Sequence, residues 1–187
     1  MGIKDTFFLD AENSALVVID VQEKLCLAMD EKVLKHLVKN AGILMDAAVE
    51  LNIPIMVTEQ YVKGLGETVS ALKTRVSEPA LEKMTFSCCG DPAFVEKMKN
   101  LGKRQVIVVG MECHVCVLQT VIELLNSGFN VHLVRDAVMS RRKENWLVGV
   151  ETARDAGAVI TSTEAALFQL LKLAGTEEFK KLSKLVR

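Results

Sequence analysis

The stretch VIVVGMECHVCVLQT, Val106 to Thr120, decides how this chain folds. Its first part, Val106-Ile107-Val108-Val109, is an unbroken apolar run and predicts a strand buried on both faces. Beyond it Val117, Leu118, Val121, Leu124 and Leu125 recur at helical spacing. Cys116 therefore falls where a strand gives way to a helix. The unpaired N–H groups and positive dipole end of a helix favour a thiolate, the nucleophilic form of cysteine. The bland reading of the position is a small buried hydrophobe, as most free cysteines are.

Working outward, the same alternation fills the chain. Ala15 to Asp20 predicts a first strand, and residues 30–51 a helix with Val33, Leu34, Leu37, Val38, Ala41, Leu44 and Met45 on one side. Pro54 to Glu59 predicts a second strand. Gly64 and Gly66 punctuate a less regular stretch, and Leu81 to Phe86 holds a third strand. Pro92 opens a short helix. Strand four is Gln105 to Gly110, its helix runs from Val115 to Ser127, and Gly128 stops it. Strand five is Val131 to Arg135. A helix over Lys143 to Asp155, a short strand at Ala158 to Thr161 and a Ser162- or Thr163-capped helix through Leu173 complete the pattern. Repeated β-α units with apolar strands imply an α/β fold: one parallel sheet, helices on both faces. The 187 residues suit a single domain, 1–187, with no internal repeat or linker.

Lys plus Arg number 23 and Asp plus Glu 24, so the net charge is -1. That balance gives no basic excess to hold nucleic acid or an anionic membrane. No apolar stretch reaches the length of a membrane span, and the N-terminal residues do not read as a signal peptide. Five cysteines, an odd number, argue against a disulfide framework and for a reducing, cytoplasmic setting. The basic tail from Lys180 to Arg187 reads as a solvated helix end, with Glu177 and Glu178 suited to its N-terminus.

In an open sheet of this kind ligands bind beyond the carboxyl ends of the strands, where strand order reverses. If strands one and four are neighbours, Asp20 and the Gly110 to Cys116 segment meet there. Asp20 is then either a proton acceptor for the thiol or a turn cap. A lysine near both, such as Lys83, favours the thiolate and keeps the carboxylate ionised, whereas an isolated lysine is a surface group. Cys113 and Cys116 form a C-x-x-C, the spacing of a thiol–disulfide redox pair. It is also half of a zinc site, but the other half is missing, and His36, His114 and His132 are scattered. Gly64-Leu65-Gly66 lacks the spacing of a dinucleotide loop. Neither a metal nor another cofactor is expected.

Five segments together resemble the isochorismatase-like cysteine hydrolase superfamily, over Ala15 to Leu171. They are VVIDVQEKL (Val17 to Leu25), TEQYVKGLGET (Thr58 to Thr68), EKMTFS (Glu82 to Ser87), GMECHVCVLQT (Gly110 to Thr120) and RDAVMSR (Arg135 to Arg141). The TEQY segment is most similar to the isochorismatase domain-containing proteins. The resemblance implies a Rossmann-like, three-layer fold with sheet order 3-2-1-4-5-6, and a catalytic triad of Asp20, Lys83 and Cys116. It also implies a cis Met111–Glu112 peptide, an oxyanion hole from the backbone N–H groups of Glu112 and Cys116, and a homo-oligomer. The metal ligands of the nicotinamidase branch have no counterpart at Glu59-Gln60-Tyr61, and Cys113 is a thiol the family does not require. The expected function is metal-free hydrolysis of a C–N bond, an amide, in a small molecule, through a Cys116 thioester. Lys83 is expected to lower the thiol's pKa, and Gln22, Tyr61 and Phe86 to line the pocket. A thiol–disulfide oxidoreductase using Cys113 and Cys116, and a non-catalytic interaction module on the same fold, stay open.

Overall fold

The computed structural model describes residues 2–187. Its six-stranded sheet contains β1 (Ser14–Ile19), β2 (Ile55–Gln60), β3 (Leu81–Lys83), β4 (Gln105–Met111), β5 (Asn130–Met139) and β6 (Val159–Thr161). Neighbouring strands run parallel in the order β3-β2-β1-β4-β5-β6. The expected fold class and order are those found.

Strand alternation splits the core into two layers. Leu16 and Val18 of β1, with Ile107, Val109 and Met111 of β4, pack against the helices Glu31–Glu50 and Thr163–Leu171. Val17 and Ile19, with Val106 and Val108, pack on the other face with Phe94, Met98, Val121, Leu124 and Val150. These come from the helices Pro92–Leu101, Leu118–Asn126 and Lys143–Asp155. Continuous apolar strands are thus explained by burial on both sides.

The helix ends follow local chemistry. Asp30 accepts from the Val33 N–H, and Ser162 from that of Ala165. Asp91 caps the Ala93 and Phe94 N–H groups while Pro92 supplies the first helical φ. Most boundaries agree within two residues of the sequence reading, and three differences are larger. β3 ends at Lys83 rather than Phe86, β5 runs on past Arg135 to Met139, and a π-helical turn, Cys113–Val117, precedes the α-helix after β4.

β1 and β4 stay paired up to Ile19 and Gly110. A Cβ on Gly110 would sit 2.0 Å from the Ile19 carbonyl oxygen, and its φ is +123°. Only glycine fits there. This approach brings the ends of the two strands, and the segments that follow them, together.

Candidate active site

Asp20 follows β1 directly. Its backbone is left-handed (φ 52°), a conformation that aspartate tolerates better than most residues. Its N–H still donates to the Thr58 carbonyl at 3.1 Å, continuing the β1–β2 ladder, and its carbonyl accepts from Gln22 N at 2.9 Å. The side chain is fully buried. One carboxylate oxygen accepts from the Thr58 hydroxyl at 2.8 Å and the other from the Lys83 ammonium at 2.7 Å.

Lys83 ends β3, with β2 between it and Asp20. Its long side chain spans that gap and is only 2% exposed. Besides Asp20, its ammonium donates to Gln60 Oε1 (2.8 Å), the Phe86 carbonyl (3.0 Å) and, more weakly, the Thr85 carbonyl (3.3 Å). A buried charge pair survives when its remaining hydrogen-bonding capacity is met in this way.

Cys116 lies in the π-helical turn, buried on the core face shared with Ile19. The Glu112 carbonyl accepts from Val115 N at 3.0 Å and Val117 N at 3.3 Å, the residues on either side of it. Thr120 donates its hydroxyl to the Cys116 carbonyl at 2.7 Å and accepts the Cys88 N–H at 3.0 Å, which fixes this turn against the 88–90 segment. Burial first, then the adjacent Asp20 carboxylate, push the Cys116 thiol up to about 12; Lys83 pulls the other way and is outweighed. Lys83 acts in the expected direction, but burial and Asp20 outweigh it. The site sets the Cys116 thiol beside the Asp20 carboxyl group, which can accept its hydrogen bond. Desolvation disfavours a buried thiolate and a neighbouring carboxylate adds to that, against the pull of Lys83.

The Met111–Glu112 peptide is cis, as the resemblance implies. The Glu112 side chain is buried and faces Arg141, accepting its N–H at 3.1 Å and its Nε at 2.9 Å.

The residues expected to line a pocket divide. Gln22 is fully buried, and its amide is committed to backbone: Nε2 donates to the carbonyls of Gln60 and Gly66, and Oε1 accepts from Gln60 N. Tyr61 and Phe86 are 44% and 57% exposed, and the backbone of each touches Lys83. Thr58 and Gln60 escaped the sequence reading although both contact the ion pair. Thr58, Glu59 and Gln60 are polar in a row, so no alternation in the sequence singled out these two.

Cys113 does not share the setting of Cys116. Its sulfur is 3.8 Å from the Trp146 carbonyl, and a Cβ on Gly149 would come within 2.8 Å of it. The Lys143–Asp155 helix covers it, and burial pushes its thiol up to about 12. This packing does not favour a redox pair. Among the described residues no three His, Cys, Asp or Glu side chains gather as a metal cluster, and no helix is long and apolar enough to cross a membrane. A cavity of about 1030 Å³ lies at the other end of the sheet, between Phe8, Arg104, Asn130 and Phe168. The chemistry of the side chains, rather than cavity size, singles out Asp20, Lys83 and Cys116.

Residues 14–165 match the model of the isochorismatase domain. The secreted isochorismatase effector Isc1 of Phytophthora sojae is 38% identical over 94% of this chain and 85% of its own. Isochorismatase domain-containing protein 2 of Danio rerio is 36% identical over 95% and 89%. Among solved structures, one described as MAR1 ribonuclease from Caenorhabditis elegans superposes with a TM-score of 0.89 at 40% identity, covering 96% of this chain and 92% of that one.

Proposed function

This chain belongs to the isochorismatase family, which supports a hydrolase role, and on that premise we propose that it is a cysteine hydrolase cleaving a C–N bond, an amide, of a small molecule without a metal. The observation that carries the reading is the buried Lys83–Asp20 pair set against the Cys116 thiol. Cys116 attacks the carbonyl carbon as its proton passes to Asp20. The N–H groups of Glu112 and Cys116 bind the oxyanion, a contribution of about 3 kcal/mol per donor where such donors have been removed. Asp20 protonates the leaving nitrogen as the C–N bond breaks and a thioester remains. Water then attacks the thioester, Asp20 takes its proton, and collapse returns the thiol and releases an acid. Lys83 holds Asp20 as an anion between steps. Tyr61 and Phe86 border the entry, and Gln22 shapes it through the backbone it pins.

The direct test incubates the protein with a panel of small amides, and with isochorismate, and searches by mass spectrometry for an acyl adduct on Cys116. Turnover with the adduct on Cys116, both lost in Cys116→Ala, supports the reading. Turnover that survives Cys116→Ala overturns it, and turnover lost on chelation and restored by zinc overturns the metal-free part.

A second reading comes from the nematode relative, whose description is that of a ribonuclease. RNA therefore belongs in the same panel, although the net charge of -1 offers no broad basic surface for it. RNA cleavage that depends on Cys116 while every small amide fails would replace the amide reading. A cytoplasmic location and assembly into at least a dimer belong to the proposal as well. Light scattering at micromolar concentration tests the assembly, and a monomer mass contradicts it.

A further inference from the structure

Lys83 is held by more than its ion pair. An ammonium has three protons and no acceptor. Three acceptors close on it at 2.7 Å (Asp20), 2.8 Å (Gln60) and 3.0 Å (Phe86 carbonyl), with the Thr85 carbonyl a weak fourth. No donor is left over for a substrate. Lys83 is thus an aimed charge rather than a proton donor, and what aims it matters.

Gln60 supplies the one side-chain acceptor besides Asp20. Chemistry fixes which way its amide points. The oxygen must face Lys83, which only donates, and the nitrogen donates to the Met84 carbonyl at 2.9 Å, which only accepts. A flipped amide would lose both bonds. Gln60 is itself nearly buried, and its backbone is gripped on both sides by the Gln22 amide at 2.8 and 2.9 Å. Gln22 also reaches the Gly66 carbonyl at 2.6 Å. A continuous path of short bonds runs from the 61–68 loop through Gln22 and Gln60 to Lys83 and Asp20.

We propose that Gln60 is a positioning residue for the hydrolytic site, directing the Lys83 ammonium at Asp20 with its amide oxygen and fastening the Met84–Phe86 segment with its amide nitrogen. This rests on the cysteine-hydrolase reading above and extends it to a residue that need touch no substrate. The titratable groups meeting the ion pair are Asp20 after β1, Cys116 in the turn after β4, and Cys88 near Thr58. A change in Lys83's aim is therefore felt at the Cys116 sulfur.

The test needs no substrate. The rate at which iodoacetamide labels Cys116, located by mass spectrometry, is followed against pH for the full-length protein and its variants. Gln60→Met removes both bonds, and its Cys116 labelling at pH 8 is expected to fall about tenfold, the effect of one pKa unit. Gln60→Glu places an anion beside Lys83, and its profile is expected to move further toward alkaline pH. A packing role alone would lower thermal stability yet leave the pH profile of the folded protein in place. Folded Gln60→Met and Gln60→Glu with the wild-type profile overturn the proposal; if one variant is insoluble, the other carries the test. Lys83→Ala in the same assay separates the two levels. Slow labelling there with wild-type Gln60 variants sinks only the role of Gln60, while wild-type labelling in Lys83→Ala sinks the site reading beneath it.

Discussion

Beyond the carboxyl ends of β1 and β3 this protein buries an ion pair, Lys83–Asp20, whereas at the amino ends of β4 and β5 it buries neutral groups, Gln105, Asn130 and His132. Gln105 donates to the Phe8 carbonyl at 2.8 Å, and Asn130 to those of Thr6 and Asp5 at 2.9 and 3.1 Å. These amides fasten the Ile3–Phe7 helix under the sheet. Each end solves a different problem. Where a segment only has to be held, uncharged amides satisfy its carbonyls at small desolvation cost. Where charge is buried instead, its cost is high and its hydrogen bonds are complete, and a nucleophile lies beside it. A cavity of about 1030 Å³ adjoins the structural end, so room alone does not mark chemistry.

The contrast breaks most readily at Asp20. Asp20→Asn removes the proton acceptor and is expected to cut turnover on any substrate found by about 10²–10⁴-fold. The same change removes the negative charge that pushes the Cys116 thiol up. Labelling of Cys116 is therefore expected to become faster, about tenfold for each unit by which the thiol's pKa falls. Loss of turnover with faster labelling separates proton transfer from thiolate formation. If both slow together, the carboxylate is needed to make the thiolate, and its charge does not act on Cys116 by simple repulsion.

At the opposite end the corresponding weak point is His132. It is fully buried, its Nδ1 lacks a partner among the described residues, and burial lowers its pKa to about 4. The folded state then binds fewer protons than the unfolded state between about pH 4 and 6.5. Stability from this group is present above pH 6.5 and is lost as pH falls toward 4, by about 3 kcal/mol. Denaturant unfolding at pH 7 and pH 4 is expected to show that loss in the wild type and to show about 3 kcal/mol less of it in His132→Gln. Equal acid sensitivity in the two proteins would show that His132 is not held neutral.

How far the sequence foretold these ends follows from the same physics. The apolar runs of β1 and β4 and the full extent of the Lys143–Asp155 helix were legible, because burial on two faces and helical spacing leave a direct pattern. β3 was read too long. After Lys83 the chain leaves the sheet, and the Thr85 and Phe86 carbonyls turn to the ammonium, a tertiary demand that no local pattern carries. β5 was read too short. Past a register shift it pairs again with β4, Val138 with Gly110 and Met139 with Met111. In the site, Asp20, Lys83 and Cys116 were nameable from strand ends and resemblance. Gln60 was not, because a glutamine after a strand looks like any turn residue until Lys83 is beside it.

The smallest expected effect tests the hydrolase against the redox reading. A redox mechanism needs Cys113 as its second sulfur, oxidised with Cys116 to a disulfide while an acceptor is reduced. In this structure the Cys113 sulfur is enclosed by the Trp146 carbonyl and Gly149, and burial keeps it a thiol. Forming the disulfide would draw that sulfur out of its packing under the Lys143–Asp155 helix. Cys113→Ser replaces the thiol by a hydroxyl of similar shape, but the Trp146 carbonyl, 3.8 Å from the sulfur, is too far for a good O–H bond, so the fold is expected to lose about 1–3 kcal/mol. Labelling of Cys116 and any amidase turnover are expected to stay within about twofold of wild type, since no proposed step passes through this sulfur. Measured side by side, Cys113→Ser and Asp20→Asn then rank the groups: the covered thiol is dispensable and the buried carboxylate is not. A disulfide reductase activity that disappears in Cys113→Ser and persists in Asp20→Asn would reverse that ranking and give Cys116 a redox role.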